Sequence, residues 1–153
     1  MSEYNYSTKA YDAEHMARAV GRDLGLSTKQ AIEISKHLRN QKLEFAKAFL
    51  LDVIAMKRPV NFTRFNMNVG HKTKSGPGRY PVKGSSIILK LLNSVESNAQ
   101  FKGLNTSDLY IKAIIPQKGA AQYRYGRRFG RKMKRTHLEI VVEEKSAKKE
   151  KKW

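Results

Sequence analysis

Cysteine is absent from the chain. Its absence excludes a disulfide framework, a thiolate metal site and a cysteine nucleophile, and leaves a reducing intracellular home unopposed. Long apolar runs are missing too. Nothing approaches the roughly 18 residues of a membrane span, and the opening MSEYNYSTKAYDAEH has no basic leader ahead of an apolar stretch. The expectation is a soluble, cytoplasmic protein with no membrane segment of its own. Acidic residues are scarce, 13 Asp and Glu against 31 Lys and Arg, so the formal net charge is +18. Charge of that size drives a compact state apart unless a partner compensates it, which favours a nucleic acid as partner. Binding should then weaken steeply with salt, because each neutralised phosphate releases condensed counterions. Acidic proteins or anionic membranes would offer the same field.

A convergent catalytic set is also lacking. His15, His37, His71 and His137 are scattered without metal-ligand spacing. Glu33, Glu44 and Asp52 fall on predicted helices, where carboxylates usually face solvent or pair with lysine, and Glu139, Glu143 and Glu144 make no better acid-base pair. Glycines 76, 78 and 84 fit no phosphate-cradling pattern, and Pro81 occupies the third position of a dinucleotide pattern. The reading is a non-enzyme with no cofactor and no metal.

What the sequence has in plenty is positive charge in blocks. Between Gln117 and Leu138 stand Lys118, Arg124, Arg127, Arg128, Arg131, Lys132, Lys134 and Arg135 without one acid, interleaved with Tyr123, Tyr125, Phe129 and three glycines. Arginine planes and aromatic rings stack on unpaired bases while cationic heads meet phosphates. A merely solubilising basic loop would not need the aromatics. A second acid-free block runs from Val53 to Val95, with Lys57, Arg58, Arg64, Lys72, Lys74, Arg79, Lys83, Lys90 and His71.

Periodicity supplies the frame. The 153 residues suit one domain, with 1–144 as a single unit and the lysine-rich 145–153 as a disordered tail. The segment to about Tyr11 is polar and threads over a surface, and Met16 to Leu26 reads as a strand. Ser27 and Gln30 have capping-box spacing, and Ala31, Ile34 and Leu38 share a face, giving a helix over 27–39. After the turn Asn40–Lys42, a second helix carries Leu43, Ala46, Leu50, Val53 and Ile54, with a stripe widened by Phe45, Phe49 and Leu51, and ends before Pro59. Residues 61–84 hold too many breakers for regular structure and read as a long loop. A third helix capped by Ser85 or Ser86 runs through Ile87, Ile88, Leu91, Leu92, Val95 and Ala99 to Gly103. Leu109, Ile111, Ala113 and Ile115 alternate, as do Leu138, Ile140 and Val142, so two strands bracket the basic stretch as an antiparallel hairpin. The first two helices also fit a helix-turn-helix DNA binder, but a recognition helix must show polar side chains to bases, and LEFAKAFLLDVIAM does not.

Three segments in order, STKQAIEISKHLRNQKLEFAKAFLLDVIAMKRPV, GHKTKSGPGRYPVKGSSIILKLLNSVESNAQFKGL and DLYIKAIIPQKGAAQYRYGRRFGRKMKRTHLEIVVEE, resemble the universal large-subunit ribosomal protein family L-twenty-two. The resemblance covers nearly all of residues 8 to 144. The insertion with GHKTKSGPGRYPVK is similar to the archaeal and eukaryotic branch, and the short lysine tail suits an archaeal source. The family implies an α+β fold, three helices packed on a small three-stranded antiparallel sheet with a long protruding β-hairpin, here about 115–136. It implies a globular part near the outlet of the peptide exit tunnel and a hairpin lining the tunnel wall. Implied partners are large-subunit ribosomal RNA, which the protein bridges across several domains during assembly, neighbouring ribosomal proteins and the nascent polypeptide. Carried onto this chain, RNA contact falls to Lys72, Lys74, Arg79 and Lys83 of the second block and to the eight cations of the first with Tyr123, Tyr125 and Phe129. The tunnel-facing tip falls to Gln122, Tyr123, Arg124, Tyr125, Gly126, Arg127 and Arg128.

Overall fold

The computed structural model describes residues 4–73 and 75–144; Lys74 and the tail expected over 145–153 lie outside the described residues. In chain order come β1 (Met16–Leu24), α1 (Thr28–Leu38), α2 (Leu43–Ile54), β2 (Val60–Asn61), β3 (His71–Lys72), β4 (Gly76–Arg79), α3 (Val82–Phe101), β5 (Leu109–Lys118) and β6 (Thr136–Glu144). The main sheet is antiparallel with order β1-β6-β5, the α+β arrangement the family implies. Helix α1 packs on β5, α3 on β1 and β6, and α2 against α3.

The α1 stripe Ala31, Ile34 and Leu38 is fully buried, as its period predicts. Ser27 is the N-cap, but its side chain makes no cap hydrogen bond. Helix α2 buries Leu43, Ala46, Phe49, Leu50 and Val53, while Phe45 and Leu51 are exposed, against the widened stripe expected. Helix α3 starts at Val82 behind Pro81, one turn before the expected serine caps. Proline fixes the entry backbone, and Ser85 lies inside the helix, buried. Its end is as expected, with Gly103 in the left-handed region at φ 76°.

Strict alternation fails in β5. The register jumps between Ile111↔Val142 and Ala113↔Val141, so Leu109, Ile111 and Ile114 are buried and Ala113 and Ile115 only partly. The extra residue of the bulge reverses the phase of the strand beyond it. The α1–α2 turn docks there: the Asn40 amide donates to the Ile111 carbonyl at 2.9 Å and the Ile111 amide to the Gln41 carbonyl at 3.0 Å. Inward Leu138, Ile140 and Val142 of β6 are fully buried under the helices. Each such side chain stabilises the fold by roughly 1.5–3 kcal/mol.

The breaker-rich 61–84 segment is not an irregular loop. Strands β2, β4 and β3 form a second small sheet in that order, and Phe62 and Val69 plug into the core. A buried carboxylate fastens it. Glu33 of α1, fully buried rather than solvent-facing, accepts hydrogen bonds from the amides of Thr63 (3.2 Å), Arg64 (2.9 Å) and Phe65 (2.6 Å). Glu139, also fully buried, plays the same part for the opening segment: it accepts from Tyr4 Oη at 2.7 Å, the Ser7 amide at 2.9 Å and Ser7 Oγ at 3.0 Å. Arg18 completes that attachment, its guanidinium 4.1 Å from the Tyr6 ring and 4.3 Å from the Tyr11 ring.

Candidate nucleic-acid interface

The basic stretch leaves the sheet as an arm. Ladder pairing between β5 and β6 ends at Lys118↔Thr136. Beyond it the two sides are joined only intermittently: the Gly119 amide donates to the Arg135 carbonyl (3.0 Å), that of Met133 to Gln122 (2.7 Å) and that of Arg124 to Arg131 (2.9 Å). A single 3-10 turn, Gly126–Arg128, forms the tip, and Gly130 at φ 90° turns the chain back. Gly119 is needed at the root, where an added Cβ would stand 3.2 Å from both Arg135 Cβ and His137 Nε2. The arm is thus a hairpin, regular as far as 118 and 136 and irregular outward.

No residue from Ala120 to Lys132 is buried. None of the eight cations forms an ion pair with a carboxylate among the described residues; Arg135 donates instead to the Asp23 carbonyl at 3.0 Å. The aromatics divide. Tyr123 and Phe129 stack with centroids 6.4 Å apart, and Lys132 Nζ lies 5.0 Å over Tyr123. Tyr125 is 92 % exposed and touches neither. Eight unneutralised charges with exposed rings form a surface able to take phosphates and stack on splayed bases.

Two grooves flank the arm's root and meet at the start of α1. One, of about 480 Å³, is lined by Gly25, Ser27, Gln30 and Lys83 of the body and by Arg124, Lys132, Met133, Lys134 and Arg135 of the arm. The second, of about 410 Å³, lies between Ser27, Thr28 and Lys29 and the arm residues Lys118, Gly119, Ala121 and Lys132 to Arg135. With no side chain on its first amides, the α1 N-terminus adds partial positive charge to both.

The fold therefore brings Lys83 of the second block to the arm, a union of residues 41 positions apart or more that sequence spacing does not reveal. Lys72 and Arg79 are not brought there. They line a separate depression of about 420 Å³ with Met56, Gly70, Gly78 and Tyr80, and Lys72 Nζ stands 5.6 Å over the Tyr80 ring. Arg127, Arg128 and Arg131 are out at the tip, exposed. Sequence reasoning missed Lys29, Lys36 and Arg39. Lys36, Arg39 and Arg64 line a cavity of about 520 Å³ beside Pro116, and Lys29 belongs to the arm groove. Lys29 and Lys36 are seven apart on α1, so helical period could have placed them on one outer face. The helix-turn-helix alternative fails on geometry: the α1–α2 turn is bonded to β5, and α2 shows solvent Phe45, Leu51 and Glu44. No group of three or more His, Asp or Glu able to hold a metal occurs among the described residues.

Comparison with known proteins agrees with this architecture. The sequence model of the family described as Ribosomal protein L22p/L17e matches residues 19–143. A protein named "Large ribosomal subunit protein uL22" from Methanocaldococcus jannaschii is 48 % identical over 139 residues, covering 86 % of this chain and 89 % of the relative. Proteins of the same name from Ignicoccus hospitalis and Thermoplasma volcanium are 42 % and 38 % identical, covering 94 % and 91 % of this chain. With the match spanning sheet, helices and arm alike, the chain belongs to the ribosomal protein L22p/L17e family, whose members are structural rather than enzymatic.

Proposed function

We propose that the chain is a structural constituent of the large ribosomal subunit, one that binds large-subunit ribosomal RNA and holds distant segments of it together during assembly. The carrying observation is the arm: eight cations without a carboxylate partner among the described residues, on a segment exposed from Ala120 to Lys132. Phosphates from separate RNA segments repel one another, and cations reaching between them lower that repulsion. The globular part stands near the tunnel outlet as a rigid base, the hairpin lines the tunnel wall, and the tip residues Gln122 to Arg128 pass beside the nascent polypeptide. Phosphate contacts by the arm and by Lys72, Arg79 and Lys83 position the protein without reading sequence, whereas Tyr123, Tyr125 and Phe129 give local preference by stacking.

The test is sedimentation from cells carrying the full chain or a chain lacking residues 119–132. The full chain should travel with large subunits through moderate salt. The shortened chain should keep its helical circular dichroism yet leave the large-subunit fraction. A shortened chain that unfolds would make the arm part of the core; one that still enters subunits normally would remove the arm from the mechanism.

A further inference from the structure

One face of the molecule contradicts the rest. The outward side of α2 carries Phe45, Leu51 and, just past its end, Met56, exposed by 44, 55 and 63 %. Exposed Ala48 and Ala55 lie between them. The opposite side of the same helix already has its partners, with Leu43, Ala46, Leu50 and Val53 buried in the core. Large apolar side chains grouped on the solvent side of a helix mark a contact surface.

Charge says what kind. In a chain of +18, Glu44 and Asp52 stand on this face, and neither forms an ion pair among the described residues. Glu96 and Asp108 are close by, held by Lys47 and Lys42. Four of the thirteen acids thus cluster around α2, and Lys47 and Lys42 are partly neutralised there. A phosphate backbone would meet those carboxylates unfavourably, while an apolar protein surface rimmed with lysine or arginine would match both features. Arg58 fixes the patch at one end, its guanidinium 5.7 Å from the Phe45 ring and 5.1 Å from that of Phe49.

We propose that the outer face of α2, centred on Phe45 and Leu51 with Glu44 and Asp52 at its rim, docks a neighbouring protein of the large subunit through an apolar patch bordered by cations. This rests on the chain's place in the large subunit and assigns to this helix a protein partner, with RNA kept to the arm, its root and the depression lined by Lys72 and Arg79. It divides the surface into an acidic-apolar side for protein and a basic-aromatic side for RNA.

A photo-crosslinking residue placed at Leu51, and in a second chain at Tyr125, tests the division in large subunits purified from cells. The Leu51 probe should give one discrete nuclease-resistant adduct, identified by mass as another large-subunit protein with Lys or Arg beside the linked residue. The Tyr125 probe should give a nuclease-sensitive adduct. Glu44→Lys with Asp52→Lys should cut the Leu51 adduct at least about tenfold, since like charges across an interface cost more than the 1.4 kcal/mol a factor of ten represents, with the chain still in subunits. A nuclease-sensitive adduct at Leu51, an adduct of two copies of this chain, or none in loaded subunits overturns the inference and leaves the large-subunit role standing. A chain that never enters subunits removes both.

Discussion

Two segments that read alike in the sequence end up with opposite physical status. Residues 60–80 and the arm over 118–135 are both acid-free, basic and rich in glycine. The first is fastened: Val60, Phe62 and Val69 are buried, strands β2, β4 and β3 pair, and the Glu33 carboxylate gathers three successive amides. The second has no buried side chain from Ala120 to Lys132 and, among the described residues, no acceptor from the body beyond the Asp23 carbonyl at its root. Composition sets what both segments attract, but the body decides which of them has a shape of its own. An isolated two-stranded ribbon is marginally stable in water, so the arm takes its fixed form from what it touches.

The sharpest break in this comparison is Glu33→Ala. It strips three part-buried amides of their acceptor, each worth about 1 kcal/mol when water can partly replace the lost partner, so we expect about 3 kcal/mol of lost stability. Thermal melting should show a fall of about 10 °C. The matching change in the arm, Arg128→Ala, should stay within about 0.5 kcal/mol because its side chain is exposed. Equal losses would erase the distinction. Next in size is Arg127→Gln with Arg128→Gln and Arg131→Gln. The slope of RNA affinity against salt should flatten by about 2 to 3, roughly 0.7–0.9 per lost phosphate contact. Tyr125→Ala should weaken RNA binding by about 1–3 kcal/mol and leave that slope unchanged. A changed slope there would mean that the ring acts by placing cations.

The smallest effect concerns the other fastened segment. Burial and the hydrogen bond to Glu139 push the Tyr4 phenol up from 10.0 to about 12. A raised folded value means that the protonated phenol favours the docked segment. That contribution is whole below pH 10 and is lost as pH rises from 10 toward 12. Burial raises the Tyr6 phenol as well, and Glu139 acts on both, so phenolate absorbance should show the last tyrosine of the wild-type chain ionising at lower pH in Glu139→Ala.

Much of this was legible beforehand, and the exceptions share a cause. Helical period located α1 through Ala31, Ile34 and Leu38, and charge with glycine located the arm between β5 and β6. Local pattern carries such features because they depend on residues a few places apart. Glu33 looked like a surface acid since its amide partners lie thirty or more positions on, and a carboxylate's burial depends on them. The β5 bulge hid in an apolar run where Ala113 and Ile114 are equally acceptable inside. Lys83 joined the arm's root only because α3 begins at Val82, a turn earlier than serine caps suggested. Hydrophobic period alone puts Phe45 and Leu51 in the core, because it does not tell a buried face from an exposed apolar one.

Amide hydrogen exchange, read residue by residue on the RNA-free chain and again in purified large subunits, tests the central claim most directly. The account predicts that amides 120–132 exchange freely in the isolated protein while those of Thr63, Arg64 and Phe65 are protected, and that the arm becomes protected only within the subunit. An arm as strongly protected as residues 63–65 in the absence of RNA would contradict it.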